Sequence, residues 1–404
     1  MKLLIVSQHF YPENFRINDI AFSLAKRGHD VTVLTGLPNY PKGKVFPEYR
    51  HGQNRHQNVE GVKIERCSLV GRGTSLLTFG INYAWFAISA TLKARSLKEK
   101  FDAVYSYQTS PVSMSRPAIA AAKKQHIPLI LNCLDQWPIS VTAGPINEKS
   151  LFYKILYRYS VNTYNKADLI TITSKSFKNY FEKTLKLPAE KYGLVYWPQY
   201  AEDTYGASTH EKNGVYDVLY AGNVGPATDV EVIVKAAVRL KDHDKIHFHI
   251  VGDGLNLPAC KEIAEKAGLR NITFHGSHPV SEMVKYYSLA DAFLITMKDN
   301  QVVNYTLPAK MQSYMLAGKP VIGAVNGETQ RVIRECGCGY CADAGDDEKL
   351  AEYILTASED EYDEKKMGEK AKAYYQAHFD KEKLLDQLEE MFAELIRKKK
   401  GEKA

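Results

Sequence analysis

The run Tyr305-Thr-Leu-Pro-Ala-Lys-Met-Gln-Ser-Tyr-Met-Leu-Ala-Gly-Lys-Pro-Val-Ile322 places a cation beside a helix start. Pro308 suits the first turn of a helix, where a missing N–H costs nothing. Met311, Met315 and Leu316 then fall on one helical face. Gly318 ends the helix, and Pro320-Val-Ile opens a buried strand. The amides of Thr306, Leu307, Ala309 and Lys310 are expected to point outward, and such an end binds phosphate. Lys310 adds a positive charge beside it. Taken alone, the stretch also fits an ordinary helix–strand unit. Gly222-Asn-Val-Gly225 follows a second apolar strand, and its glycines let a backbone approach a ligand closely. A tight strand-to-helix turn would use the same glycines.

The first half carries a different set of polar groups. The loop His9–Arg16 joins the first strand to the first helix, which puts it at the carboxyl edge of an open sheet, where ligands bind. His9, Glu13, Asn14 and Arg16 are therefore candidate acceptor or phosphate contacts, although a lone histidine in a loop also serves as a structural hydrogen-bonder. Asp135-Gln-Trp-Pro138 follows the apolar run Leu129–Leu134 and belongs to the same edge. Asp135 is the candidate for the polar group nearest a reacting centre, and Trp137 offers a stacking face for a sugar. Capping a turn before Pro138 is the structural alternative for Asp135. Gln108, just past the strand Ala103–Tyr107, is grouped with these residues. Gly252-Asp-Gly254 lacks the third glycine and the distant acid of the dinucleotide fingerprint, which excludes NAD.

The elements that must position these groups alternate regularly. Strands are expected at Leu3–Ser7, Asp30–Gly36, within Val62–Val70, and at Ala103–Tyr107, Pro128–Asn132 and Leu169–Thr173. Helices are expected at Arg16–Arg27, Ala118–Gln125, Leu151–Lys166 and Lys175–Leu185. Polar 202–214 reads as a linker. A second series begins at Val218–Tyr220 and continues through His247–Val251, Ile272–Phe274, Ala292–Thr296 and Val321–Ala324. This alternation implies doubly wound parallel sheets. At 404 residues, 45% of them hydrophobic, the chain has material for two cores. The expected division is 1–201, the linker 202–214, 215–378, and a final helix with a basic tail, 379–404. A net charge of +6 is too small to argue for nucleic acid and suits an anionic small substrate or an anionic membrane surface. Of the six cysteines, Cys336, Cys338 and Cys341 cluster, but no fourth ligand lies nearby in sequence for zinc.

The order and spacing of several segments resemble family 4 glycosyltransferases of the exopolysaccharide and O-antigen subgroup over nearly the whole chain. In the first half these are His9-Phe-Tyr-Pro-Glu-Asn-Phe-Arg16, Arg27-Gly-His-Asp-Val-Thr-Val-Leu-Thr35, Leu37-Pro-Asn-Tyr-Pro-Lys-Gly43 and Asp135-Gln-Trp-Pro138. In the second they are Tyr220-Ala-Gly-Asn-Val-Gly225, Val251-Gly-Asp-Gly254, Phe274-His-Gly276, the Pro308 helix, and Gly327-Glu328 followed by Gly337-Cys-Gly339. The resemblance implies a GT-B architecture: two Rossmann-like domains facing a cleft, with a C-terminal helix crossing back to the first. It implies transfer of a sugar from a nucleotide donor, expected to be a UDP-sugar, to a glycan or lipid-linked acceptor, retaining and metal-independent. Their placement at the sheet edge makes Asp135 and His9 the candidate catalytic residues. The resemblance implies donor contacts at Gly222, Asn223, Gly225, Gly252, Gly254, Gly276, Tyr305, Thr306, Leu307, Pro308, Lys310, Ser313 and Glu328.

The chain departs from the family pattern at four positions. An Arg after the first glycine and a Lys about six residues on are replaced by Asn223 and by Thr228-Asp229. The paired acids of the family's Glu-x7-Glu motif are Tyr305 and Ser313 here. Lys310, or Arg16 from the other domain, would have to bear more of the donor's charge. A degenerate binding partner and a sugar-nucleotide epimerase are the alternative readings; the second would need several acids and bases that the C-terminal half lacks.

Gly73–Leu92 is free of charge over twenty residues, long enough to span a bilayer. The parallel sheet on either side forbids a single span. The segment is expected to be a crossover helix, either buried or lying in the membrane interface with Lys93 and Arg95 at the headgroups. The N-terminus reads as a strand, so the chain is expected in the cytoplasm, with a peripheral membrane contact through residues 73–95.

Overall fold

The computed structural model describes all residues except 41, 74, 144–145, 189–192, 204, 206–212 and 402–404. The chain forms two compact units, Met1–Trp197 with Leu385–Ala404, and Pro198–Leu384. The first unit changes to the second at Trp197/Pro198, a few residues before the expected boundary. Most of the expected linker lies outside the described residues. Tyr205, which is described, is buried in the second unit and stacks on Tyr287 with ring centroids 4.7 Å apart.

The first unit holds an eight-stranded sheet. Its strands are β1 (Lys2–Val6), β2 (Asp30–Thr35), β3 (His56–Val59), β4 (Val62–Arg66), β5 (Ala103–Gln108), β6 (Leu129–Cys133), β7 (Leu169–Ile172) and β8 (Leu194–Tyr196), in the order β3-β4-β2-β1-β5-β6-β7-β8. All neighbours pair parallel except β3 with β4. The β3–β4 hairpin was not expected. It turns on Glu60 and Gly61, both at positive φ, as a two-residue hairpin turn requires. Helices α1 (Arg16–Lys26), α2 (Leu76–Ser96), α3 (Arg116–Gln125) and α4 (Leu151–Tyr164) make the crossovers. The central strands are apolar on both faces, as a sheet covered by helices on each side demands. The expected helix at Lys175–Leu185 is a single turn, Phe177–Asn179, followed by a wider turn, Tyr180–Thr184. In that turn the amide of Leu185 reaches the carbonyl of Tyr180, five residues back.

The second unit holds six parallel strands, β9 (Tyr216–Ala221), β10 (Ile246–Val251), β11 (Ile272–Gly276), β12 (Ala292–Thr296), β13 (Val321–Ala324) and β14 (Cys341–Ala342), in the order β11-β10-β9-β12-β13-β14. This is the 3-2-1-4-5-6 order of the dinucleotide-binding fold, whose direction of winding reverses between β9 and β12. Around it lie α5 (Val230–Arg239), α6 (Leu257–Lys266), α7 (Met283–Leu289), α8 (Gln301–Asn304), α9 (Ala309–Ala317), α10 (Gly327–Cys336), α11 (Asp347–Glu359) and α12 (Glu361–His378).

The last helix, α13 (Lys381–Gly401), begins in the second unit and ends in the first. In the first unit its Leu385, Leu388 and Phe392 are fully buried. Phe392 meets the Tyr105 ring edge-on at 6.1 Å. Arg27 binds Asp386 and Glu389 at 2.6 and 2.7 Å, and His29 binds Glu389 at 2.5 Å.

Helix α2 resolves the choice between burial and exposure by doing both. Ser75 and Thr78 form a reciprocal capping box at its start. Phe86, Ala87, Ala90 and Ala94 are buried, while Leu77, Ile81, Trp85, Ile88 and Leu92 are exposed on the opposite side. Lys93, expected at lipid headgroups, instead pairs with Glu65 at 2.8 Å. Among the described residues no helix is long and apolar enough to cross a membrane.

Candidate functional site

In the second unit the loops after β9 and β10 pack backbone against backbone. A Cβ on Gly252 would lie 1.8 Å from the carbonyl oxygen of Gly222, and one on Gly254 would lie 2.4 Å from that of Val224. Only glycine fits either position, and both have the positive φ that glycine tolerates. This close approach fixes Gly222, at the switch point, beside Lys310. A Cβ on Gly222 would come within 2.8 Å of Lys310 Nζ.

Lys310 is the centre of this half. Its Nζ is buried and has no hydrogen-bond partner. It sits 3.8 Å from the centroid of the Tyr220 ring, whose face offers partial compensation. Burial pulls its pKa down to about 7. A second buried lysine nine positions on shows what satisfaction looks like. Lys319 Nζ donates to the carbonyls of Tyr287, at 2.8 Å, and Ala290. Burial lowers the pKa of both, Lys319 to about 8, but Lys310 lacks those acceptors. A buried cation lacking a counter-charge, next to a helix start, is an arrangement completed by an anion.

The helix start differs from expectation in detail. Pro308 is the N-cap, in extended conformation, and α9 begins at Ala309. The amide of Thr306 is not directed outward. It donates to Val303 O at 2.9 Å, and the Thr306 hydroxyl donates to Val302 O, because residues 301–304 form the short helix α8. Leu307 is buried. Tyr305 is the C-cap of α8.

Other expected donor contacts are engaged within the unit. Ser313 is buried, and its hydroxyl lies 3.5 Å from Ala309 O in its own helix. Glu328 is fully buried and gripped by Arg331 through two bonds of 2.9 and 3.1 Å. Gly276 accepts the amide of Gly252 at 2.8 Å and closes the β10–β11 edge. Asn223 is exposed. Where the family pattern has a lysine, the Thr228 hydroxyl closes the Gly225 turn instead: it accepts from the Gly225 amide at 3.0 Å and donates toward Asn223 O at 2.9 Å. The missing cation is replaced by a turn-closing hydroxyl.

The first unit gathers its groups at the ends of β1, β5 and β6, three neighbouring strands. Glu13 is almost fully buried. One of its oxygens accepts the amides of Asn39 and Tyr40 at 2.7 and 2.6 Å, and the other holds His9 Nδ1 at 2.9 Å. Phe15 stacks on the imidazole at 4.9 Å. The His9 ring is thus fixed in position and tautomer, with Nδ1–H toward the carboxylate and Nε2 left as an acceptor. Both oxygens of Glu13, expected at the acceptor, are thus engaged within the first unit.

Two strands away, about 10 Å at ordinary strand spacing, Asp135 is half-buried. Burial raises its pKa, opposed by hydrogen bonds from the hydroxyl and backbone of Ser110. The Ser110 hydroxyl also takes the Trp137 indole N–H at 3.0 Å. Gln108 is fully buried, and its amide donates to the Thr109 and Asp135 carbonyls at 2.8 and 3.1 Å. Arg16 lies within electrostatic reach of Tyr107 on β5, as does Asp135. Asn14 is exposed. Ser110 and Tyr220 were missed in the sequence; each is recognisable only once its partner is in place.

Comparison with known proteins identifies the arrangement. The profile "Glycosyl transferase 4-like domain" matches residues 14–196, and "Glycosyl transferases group 1" matches 201–374. The chain belongs to the family 4 glycosyltransferases. Their GT-B fold is shared by HepE from Anabaena, solved in complex with UDP, with a TM-score of 0.71, 16% identity, and coverage of 98% of this chain and 100% of that one. Sucrose-phosphate synthase from Thermosynechococcus elongatus has a TM-score of 0.77 at 13% identity, covering 98% of this chain and 99% of that one. Among curated relatives, the putative colanic acid biosynthesis glycosyl transferase WcaI of Escherichia coli (strain K12) is 23% identical over 79% of this chain and 82% of its own. The probable glycosyltransferase WbjE of Pseudomonas aeruginosa is 24% identical over 53% of this chain and 55% of its own.

Proposed function

We propose that this glycosyltransferase moves a hexosyl or N-acetylhexosaminyl group from a UDP-sugar to a glycan or lipid-linked acceptor in surface polysaccharide assembly, with retention and without a metal ion. The observation that carries this reading is the buried, unpartnered Lys310 ammonium at the start of α9. It supplies the charge for a diphosphate leaving group, as a divalent cation does in other transferases. The polysaccharide assignment draws on the name of WcaI, and UDP on the ligand of HepE. In the first unit, His9 Nε2 orients an acceptor hydroxyl, with Asp135 as the second polar group at that sheet edge.

The reading is tested by incubating the protein with individual UDP-sugars and a crude lipid or glycan extract. Transfer is expected, and it is expected to survive EDTA. Turnover abolished by chelation and restored by Mn²⁺ would overturn the metal-free reading. UDP binding without hydrolysis or transfer from any donor would overturn the enzyme in favour of a binding protein.

A second expectation concerns pH. Lys310 has a free pKa of about 7, and a bound diphosphate raises it. Between the free and bound values UDP binding takes up a proton, so affinity falls as pH rises above 7, by up to about tenfold per unit. Calorimetry in buffers of different ionisation enthalpy reads this uptake directly. Constant affinity with no proton uptake from pH 7 to 9 would remove Lys310 from the site.

A further inference from the structure

The exposed face of α2 borders a groove within the first unit. Between α2 and α4, within the first unit, lies a groove of about 670 Å³ lined by Tyr83, Ile88, Val141, Phe152, Ile155 and others. Leu77, Ile81, Trp85 and Leu92 of α2 and Leu151 of α4 are exposed as well. An exposed apolar surface of this extent marks an interaction site.

A second pocket, about 330 Å³, adjoins it between the C-terminal halves of α2 and α4 and helix α3. It is lined by Arg95, Arg116, Lys123 and Lys166, with no acidic residue. Arg116 and Tyr159 line both cavities, so the two are neighbours. None of these four cations has a carboxylate partner among the described residues. An apolar trough joined to an uncompensated cationic cup is complementary to one kind of molecule, an amphiphile with an anionic head.

We infer that this joint cavity is a binding site for an anionic phospholipid, with the phosphate among Arg95, Arg116, Lys123 and Lys166 and an acyl chain along the groove between α2 and α4. A flat, nonspecific contact would need only the exposed stripe of α2; the groove and the cup together select a lipid by head and by tail. The site is built from first-unit residues and shares none with the loops and helix that hold Lys310, so the UDP-induced rise in melting temperature serves as an independent control of folding.

The test uses the full chain and two kinds of vesicle, pure phosphatidylcholine and a mixture with phosphatidylglycerol. Flotation with the mixed vesicles and little with the neutral ones is expected. Arg95→Ala with Lys123→Ala should weaken that binding roughly twentyfold, at about fivefold per cation near an anionic surface. Ile155→Asp, at an exposed position, should weaken it while leaving the response to UDP intact. Occupancy of the groove is read separately. The chain has three tryptophans; in Trp85→Phe those remaining are Trp137, which lines the groove, and the buried Trp197. Phosphatidylglycerol brominated in its acyl chain is expected to quench the fluorescence of this variant. Equal binding to neutral vesicles, or no loss in the Arg95/Lys123 variant, would overturn the cationic cup. Vesicle binding without quenching would reduce the site to a surface contact and overturn the groove. No binding to either vesicle would overturn the lipid site altogether and leave the apolar face to a protein partner.

Discussion

Lys310→Met is expected to stabilise the unliganded protein while removing most of its affinity for UDP. The two effects have one origin. In the free protein the ammonium is buried without an acceptor, and its pKa falls from 10.5 to about 7. The unfolded chain holds that proton up to pH 10.5. The sign follows from linkage: below pH 7 the folded state carries the full desolvation cost, and stability recovers as pH rises from 7 toward 10.5. At pH 7 the cost is on the order of 4–5 kcal/mol, partly offset by the Tyr220 ring. Methionine keeps the stem and discards the charge, so the melting temperature should rise by several degrees, with the gain shrinking toward pH 10. A charge-assisted bond to diphosphate contributes about 1.5–3 kcal/mol, so UDP affinity should fall between tenfold and a few hundredfold. Calorimetry and thermal melts on the same samples measure both. A mutant that is less stable and still binds UDP would show the lysine to be a packing residue.

His9→Ala is expected to lower the transfer rate by about 10²–10⁴-fold, the usual contribution of a positioned acid–base or orienting group. UDP affinity should stay within about twofold, because the nucleotide half-site is built from second-unit residues. Glu13→Gln tests the positioning role. An amide can still accept from Asn39 and Tyr40 but no longer fixes the imidazole by charge, so the rate should fall less than in His9→Ala. Asp135→Asn is expected to share the rate loss of His9→Ala. Steady-state kinetics with a fixed donor decide the matter; near-normal turnover in His9→Ala would leave the dyad a structural tie between the first loop and the Asn39–Tyr40 turn.

The sequence carried the architecture well because its central strands are unbroken apolar runs punctuated by glycine. The Gly222, Gly252 and Gly254 loops and the Lys310 helix were legible for the same reason: each combines a strand end with a residue type that has few other uses. What escaped notice was local competition for polar atoms. Helix α8 has four residues, too few to show a period, and it consumes the Thr306 amide. Glu328 reads as a free acid until Arg331, three residues on, closes over it. Gln108 belongs to a strand buried on both faces, a fact that depends on helices supplied by distant sequence. The uncharged run around Trp85 could not announce which side of its helix faces inward, because both sides are apolar. The structure separates buried Phe86 from exposed Trp85.

Helix α13 gives the first unit a discontinuous chain, and this has a consequence during synthesis. The segment Leu385–Ala404 belongs to that unit, while Pro198–Leu384 builds the other. A ribosome therefore finishes every residue of the second unit before the first can receive Leu385, Leu388 and Phe392, which are fully buried against it. At about 5–20 residues per second, the first unit's apolar seat around Tyr105 stays uncovered for roughly 10–40 seconds after its own sheet has emerged. The usual order, in which the N-terminal domain matures first, is inverted for this chain. The seat for the last helix is the surface that a chaperone or a neighbouring nascent chain meets in that interval.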